Sequence, residues 1–558
     1  MFGTLSSPGS RTAIRFLILI LITIGFVACQ DAKPESQERV LIEGKPVNNS
    51  NKAVDHSFSN YELITLDANR IYETFIADPD KPLQLKLGSY GDYEVTLEAN
   101  ELMAEGHTFK SDATDENLFA TSGTYKSTPE SKYKARFSFS PKSLAGKVYT
   151  DTAAVLIRPV GFYDKSAPEN AFVIASSSDV KPLDEEEFRH THEHGQGHDH
   201  DNDDQHDHEA IEAMLASAPD TLVMPKEDLT ERMAEEGKGF RNNDPNCDLK
   251  LRVGIDHEYW TRFAQPYMGV IAYFTYLNEY EDLLAQIGVN EVEVVSGYAA
   301  FFQTAPWGTS TQYSTMRNAF RNWADANIPN SGHELSMVIT GSDVFRGSEN
   351  ILGATVGYSI CQPSGIMVVE SAVFPEFTTY TMAHETGHTM GVIEHLNTSP
   401  LVDICPAVGT AFGYGVIMST NASANPLKTY TMHSRFRIQH FLNTINVCDK
   451  GDCLDILRIR TIRQPCFKPN PIHNYLYGYG LYEIVAPDYI GNQTQLLPQY
   501  TWSSSNGTII ANGASVYLIP TQPGQVDITV SVTDGCPGLY TPAVISKTFT
   551  VNIPACGN

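Results

Sequence analysis

The run His384-Glu385-Thr386-Gly387-His388-Thr389-Met390-Gly391-Val392-Ile393-Glu394-His395 holds residue types that can do metal-assisted hydrolysis. On a helix, positions i and i+4 lie one turn apart on one face, so His384 and His388 can reach the same Zn2+ through imidazole nitrogen at ~2.0–2.1 Å. Glu385, beside the first of them, is placed to take a proton from a water polarised by that ion. Gly391 lets the chain turn sharply after the second imidazole, so that a third ligand can come from outside the helix. Two residues compete for that place, His395 and Glu394. Three neutral imidazoles preserve the ion's charge and its power to acidify water, which favours His395. A Glu ligand would neutralise part of that charge, although His2Glu zinc sites exist. The bland alternative is two exposed helix histidines beside a glutamate. Attack by water needs no nucleophilic Ser or Cys, and neither a GxSxG nor a Walker-type phosphate loop occurs.

The elements that must position these residues follow from hydrophobic periodicity. Leu249, Leu251, Val253 and Ile255 alternate as a strand, and 266–287 carries Met268, Ile271, Phe274, Leu277, Leu284 and Ile287 on one helical face. Val292 and Val294 suggest a second strand, and Met316, Ala319, Phe320 and Trp323 a second helix. Strands around Leu335–Thr340 and Ile366–Glu370 precede a helix near 377–390 that bears the histidines. Strand and helix in this alternation describe an α/β domain with a mostly parallel sheet.

These residues resemble the metzincin zinc peptidases, whose pattern is HExxHxxGxxH followed by a Met-containing turn. Met418, in Tyr414-Gly415-Val416-Ile417-Met418-Ser419, is similar to that turn and lies 30 residues after His388. Within the metzincins the nearest resemblance is to the reprolysin (adamalysin, ADAM-type) family. It rests on Leu251–Trp260, Asn318–Trp323, Thr381–Glu385 and the run Arg435–Cys448, and covers about Cys247 to Cys453. The chain departs from the pattern at one point, because Glu394 stands where the family places its third histidine and His395 comes one residue later. The resemblance implies one catalytic Zn2+, Glu385 as general base and acid, a polypeptide substrate, and a strand around Gly353–Tyr358 that pairs with extended peptide.

The remainder of the chain sets the context. Thirty-nine basic against 66 acidic residues give a net charge of −27, which argues against a nucleic-acid partner. Residues 184–244 alone hold 19 acids and 5 bases, and seven histidines fall within 190–208. With almost nothing apolar to bury, 184–209 reads as a solvated spacer, or its histidines as a weak zinc-gathering segment. Arg11 and Arg15 precede an apolar run from Phe16 to Ala28 that is too short to span a bilayer but suits a signal peptide. Phe26-Val27-Ala28-Cys29 is similar to a bacterial lipobox, which makes Cys29 the lipidation site and places the protein at the cell envelope. Eight other cysteines suit disulfides in an exported protein, and Cys536–Cys556 is the local pairing expected. None lies between residues 30 and 246, so a propeptide there would have to silence the zinc by steric cover.

The expected fold is therefore multidomain. It comprises a lipoprotein signal peptide (1–28), a tether (29–55), a β-rich propeptide-like domain (56–183) and an acidic His-rich linker (184–244). An α/β zincin (metzincin) catalytic domain (245–455) follows, then a linker (456–478) and an Ig- or polycystic-kidney-like C-terminal β-sandwich (479–558). The expected function is that of a monomeric, lipid-anchored zinc endopeptidase acting on periplasmic or extracellular proteins. The rival is a zinc-binding or adhesive surface lipoprotein with a degenerate peptidase domain.

Overall fold

A computed structural model of the chain describes residues 40–181, 248–392, 458–467, 480–485 and 499–555, with Ser434 and Ile438. The short stretches 48–49, 80, 112–118, 120, 152, 264, 285–292, 329–332, 358, 362–364, 372–374, 513–514 and 534–543 are excepted. Cys29, the His-rich run, Glu394, His395, Met418 and the expected Cys536–Cys556 pair lie outside the described residues. Cys361 and Cys466 are each disulfide-bonded.

The first region runs through β1 (Val40–Glu43), β2 (Lys45–Pro46), α1 (Lys52–Ser57), β3 (Glu62–Thr65), α2 (Ala68–Ala77), β4 (Leu83–Lys86) and β5 (Asp92–Val95). It continues through β6 (Leu97–Ala99), β7 (Met103–Ser111), β8 (Gly123–Ser127), β9 (Ala135–Ser140), β10 (Ser143–Tyr149), β11 (Ala154–Pro159) and β12 (Ala171–Ser176). Residues 40–55, expected as tether, thus supply two strands and most of a helix. Asn51 explains where that helix starts, since its side chain caps the Ala53 and Val54 amides.

An eight-stranded sheet has the order β2-β3-β12-β11-β10-β9-β8-β6. Strand periodicity sorts its side chains onto two faces. Phe137, Phe139, Leu144, Val148, Val155 and Ile157 join Ile71 and Phe75 of α2 in one core. Arg136, Ser138, Ala145, Lys147, Ala154, Leu156 and Arg158 alternate with them and take the opposite face. That second face is buried as well, which is why β9 and β11 are buried along their whole length.

The second region contains β13 (Asp248–Ile255), α3 (His257–Thr261), α4 (Pro266–Leu284), β14 (Glu293–Phe301), α5 (Tyr313–Asn327) and β15 (Leu335–Thr340). The hairpin strands β16 (Val344–Arg346) and β17 (Glu349–Ile351) follow, then β18 (Gly353–Ala354), β19 (Ile366–Glu370) and α6 (Pro375–Thr389). The six-stranded sheet has the order β18-β19-β15-β13-β14-β7. Its neighbours are parallel except β18, which runs antiparallel to β19 at the edge. At the other edge stands β7, a strand of the first region, with Tyr298 paired to Thr108 and Phe301 to Ser111. The sheet therefore crosses the boundary that composition suggests at 184–244.

That crossing also changes α4. Periodicity suggests a helix with one apolar face, yet every residue from Tyr267 to Leu284 is buried. The physical reason is a second partner: α4 lies between its own sheet and the first region, and one hydrophobic cluster runs through both.

The C-terminal part consists of β20 (Arg458–Arg463), β21 (Gly480–Val485), β22 (Gln499–Ser504), β23 (Thr508–Asn512), β24 (Ser515–Ile519), β25 (Gly524–Thr533) and β26 (Val544–Ile553). Two antiparallel sheets, β20-β21-β24-β23 and β22-β25-β26, share a core that includes Trp502, Val516, Leu518, Ile528, Val530 and Ile545. Residues 458–463, expected as linker, are instead a strand paired antiparallel with β21, with an irregularity between Thr461 and Arg463.

Candidate metal centre

The sequence of α6 is a weak helix former, rich in Thr and aromatic residues. Packing holds it instead. Phe377, Tyr380, Met382, Ala383 and Met390 are buried in the shared core. The threonines turn their hydroxyls onto the helix itself, Thr381 Oγ1 donating to the Phe377 carbonyl at 2.9 Å and Thr386 Oγ1 to the Met382 carbonyl at 2.8 Å. Thr386 in turn accepts from the buried Tyr280 hydroxyl of α4 at 2.6 Å, which fixes α6 against its backing helix. The sequence carries no sign of that bond.

At the C-terminal end of α6 the two imidazoles converge, with His384 Nε2 and His388 Nε2 3.1 Å apart and the rings nearly perpendicular at 82°. Two nitrogens bound tetrahedrally to one zinc at ~2.0–2.1 Å would be about 3.3 Å apart, so the spacing fits a shared ion. His388 Nδ1 bonds the Val392 carbonyl. That partner orients the ring and directs Nε2 toward His384, as an outer-shell carbonyl does for metal-ligating histidines. The bond depends on Gly391, whose φ of +94° reverses the chain directly after the helix. The Val392 amide then caps the Gly387 carbonyl at 3.0 Å while its own carbonyl faces His388.

Glu385 is 2% exposed. Burial pushes its carboxyl up to about 8, with Arg346 of β16 pulling the other way. A cation held by the neighbouring imidazoles would draw it back toward the usual carboxylate range. Edge strand β18 runs close beside it: a Cβ built on Gly353 would lie 2.5 Å from Thr381 Cγ2 and 3.1 Å from Glu385 Cγ. Gly353 is thus required by close approach of strand to helix. Asp256, at the end of β13, accepts from the Tyr259 and Gly341 amides at 2.9 and 3.0 Å and ties α3 to β15.

Among the described residues no group of three or more His, Cys, Asp or Glu converges on one point. The centre as described is therefore two imidazoles and one carboxyl. Both residues considered for the third position, His395 and Glu394, follow within three residues of Val392, the last described residue of this segment.

Residues 272–395 match the family model Reprolysin_3, described as metallo-peptidase family M12B, reprolysin-like. This segment is reprolysin-like. The match begins inside α4 and ends at His395, four residues past Gly391, so it takes in both the backing helix and α6. Among solved structures, metalloproteinase-II from Bacteroides fragilis is similar at 10% identity, over 64% of this chain and 90% of that one, with a TM-score of 0.32. No curated protein matches the chain. In the reprolysin-like segment the donor set of two neutral imidazoles beside a buried carboxyl suits zinc, a borderline-soft ion that takes nitrogen and oxygen ligands.

Proposed function

We propose that residues 245–455 form a zinc-dependent endopeptidase. The observation that carries this reading is the 3.1 Å approach of His384 Nε2 to His388 Nε2 beside buried Glu385, inside a reprolysin-like segment. His395 is the third ligand in this reading, Glu394 its competitor, and Met418 the residue of the Met-turn. When bound, zinc supplies a Lewis acid that acidifies water and polarises a carbonyl.

The chain's own groups do the rest. Val392 holds His388 in its ligating orientation, and Thr386 and Tyr280 hold the helix. The Glu385 carboxylate accepts the proton of the attacking water and delivers it to the leaving amine, general acid–base work that contributes ~10²–10⁴-fold. Edge strand β18, which among the described residues pairs with β19 alone, offers main-chain groups to an extended polypeptide. Cys29 carries the lipid that tethers the protein to the cell envelope.

Glu385→Ala tests this reading. Peptide cleavage should fall at least about 100-fold while bound zinc is unchanged. Full cleavage by the variant would refute the mechanism, whereas a parent chain that cleaves no peptide and loses its metal only when 190–208 is deleted would favour the metal-binding surface lipoprotein. Zinc content of His395→Ala and Glu394→Ala, measured separately, identifies the third ligand.

A further inference from the structure

Helix α4 carries Glu279, Glu281 and Asp282 within its last turns and contains no Lys or Arg. All three carboxylates are buried, at 4%, 3% and 2% exposure, and their counter-charges come from the first region. Arg158, fully buried, reaches Glu279 Oε1 with Nη2 at 2.5 Å and Glu376 Oε1 with Nε at 3.0 Å, while Nη1 donates to the Gly146 carbonyl. One guanidinium thereby joins α4 to the first turn of α6. Arg136 Nη1 lies 2.6 Å from Glu281, Lys134 Nζ 2.5 Å from Asp282 and Lys147 Nζ 3.6 Å from Glu279. Asn100 Nδ2 adds bonds to Asn278 and Glu281 at 3.0 and 3.1 Å.

The match is not only ionic. Phe109 and Phe119 stack with centroids 4.0 Å apart and meet Phe301 of β14 at 5.0 and 4.7 Å. Phe119 also meets Phe274 of α4 at 5.6 Å. Strand β7 is hydrogen-bonded into the sheet itself, at the edge opposite β18. Five strand spacings separate those edges, about 24 Å. The first region therefore joins the sheet far from the strand that borders Glu385.

We propose that residues 40–181 are a permanent structural half of the folded protein, which stays bound to 248–392 after any cut in the chain between them. A segment built for release would leave three clustered carboxylates without counter-charges, an open sheet edge and an exposed aromatic cluster on what remains. This inference concerns association and does not depend on the proposed peptidase activity.

The test uses the full chain with a recognition site for a sequence-specific protease inserted within 184–244. After cutting, both fragments should co-elute in gel filtration as one particle, at low salt and at about 1 M salt, because buried pairs are little screened. Elution as separate species in native buffer, whether or not the larger piece stays soluble, overturns the proposal. Arg158→Met, made in the same cleavable chain, should raise the rate of fragment exchange at least about 100-fold. Lys134→Met, at a side chain 53% exposed, should change it less than about threefold. Equal exchange rates for Arg158→Met and the parent would place the binding elsewhere and contradict the ionic part.

Discussion

Gly391 is where a single Cβ has consequences for the metal centre. Its φ of +94° lies in the region that L residues avoid, and Gly391→Ala should cost about 1–2 kcal/mol of local stability. In the proposed reading the larger effect is on zinc. As the turn relaxes, the Val392 carbonyl leaves His388 Nδ1, and loss of such an outer-shell partner lowers metal affinity about 10–100-fold. Competition with a zinc chelator measures this directly, and unchanged affinity would mean that the turn does not orient the imidazole. Glu370 provides a pH signature away from the centre. Burial pushes its carboxyl from 4.5 up to about 7, with Asp343 adding to the rise and Arg262 opposing it. The folded protein then holds a proton that the unfolded chain releases, so this contribution to stability is complete below 4.5 and is lost as pH rises through about 7. Thermal midpoints of Glu370→Gln should accordingly fall less between about pH 5 and 8 than those of the parent.

At the scale of elements, α4 and α6 act as a pair, locked by Tyr280 to Thr386 and by Arg158 across Glu279 and Glu376. Breaking a buried pair by removing one partner costs about 3–5 kcal/mol, so Arg158→Ala should lower the denaturant midpoint well beyond the loss from an exposed cation such as Lys86. Asp282 adds an acid limit to the same joint. Burial alone would raise its carboxyl, but Lys134, Arg136 and Lys147 outweigh burial and hold it below the usual range. Its contribution is present above about pH 4 and disappears only in stronger acid.

The helix of the candidate metal centre was legible because its pattern is local: two histidines one turn apart, a carboxyl beside them and a glycine at the stop. What surrounds them was not. The Val392 carbonyl, the Tyr280 hydroxyl and the approach of Gly353 are set by chain reversal and by contacts across 28 to 106 residues, which no residue type announces. Periodicity marks the apolar face of α4 and is silent on what its acids meet. The available signal lay elsewhere, in Arg136, Lys147 and Arg158 recurring on one face of otherwise apolar strands while α4 offers acids and no base.

At the scale of the whole molecule, the −27 charge divides unevenly. Residues 184–244 hold −14 of it (5 bases, 19 acids), whereas 245–447 hold −8 (9 bases, 17 acids), so net charge says little about the substrate of the proposed peptidase. Envelope attachment in the proposed reading rests on one atom, the sulfur of Cys29. Cys29→Ala should move the protein from the membrane to the soluble fraction on cell fractionation, since a lipid chain contributes about 0.8 kcal/mol per buried CH2. The sharpest test of the central claim is zinc titration of metal-stripped full-length protein while peptide cleavage is followed. Cleavage should be absent without metal and return in proportion to zinc up to one equivalent, with no return in His388→Ala. Cleavage that survives stripping, or that His388→Ala retains in full, would contradict a zinc centre at His384 and His388.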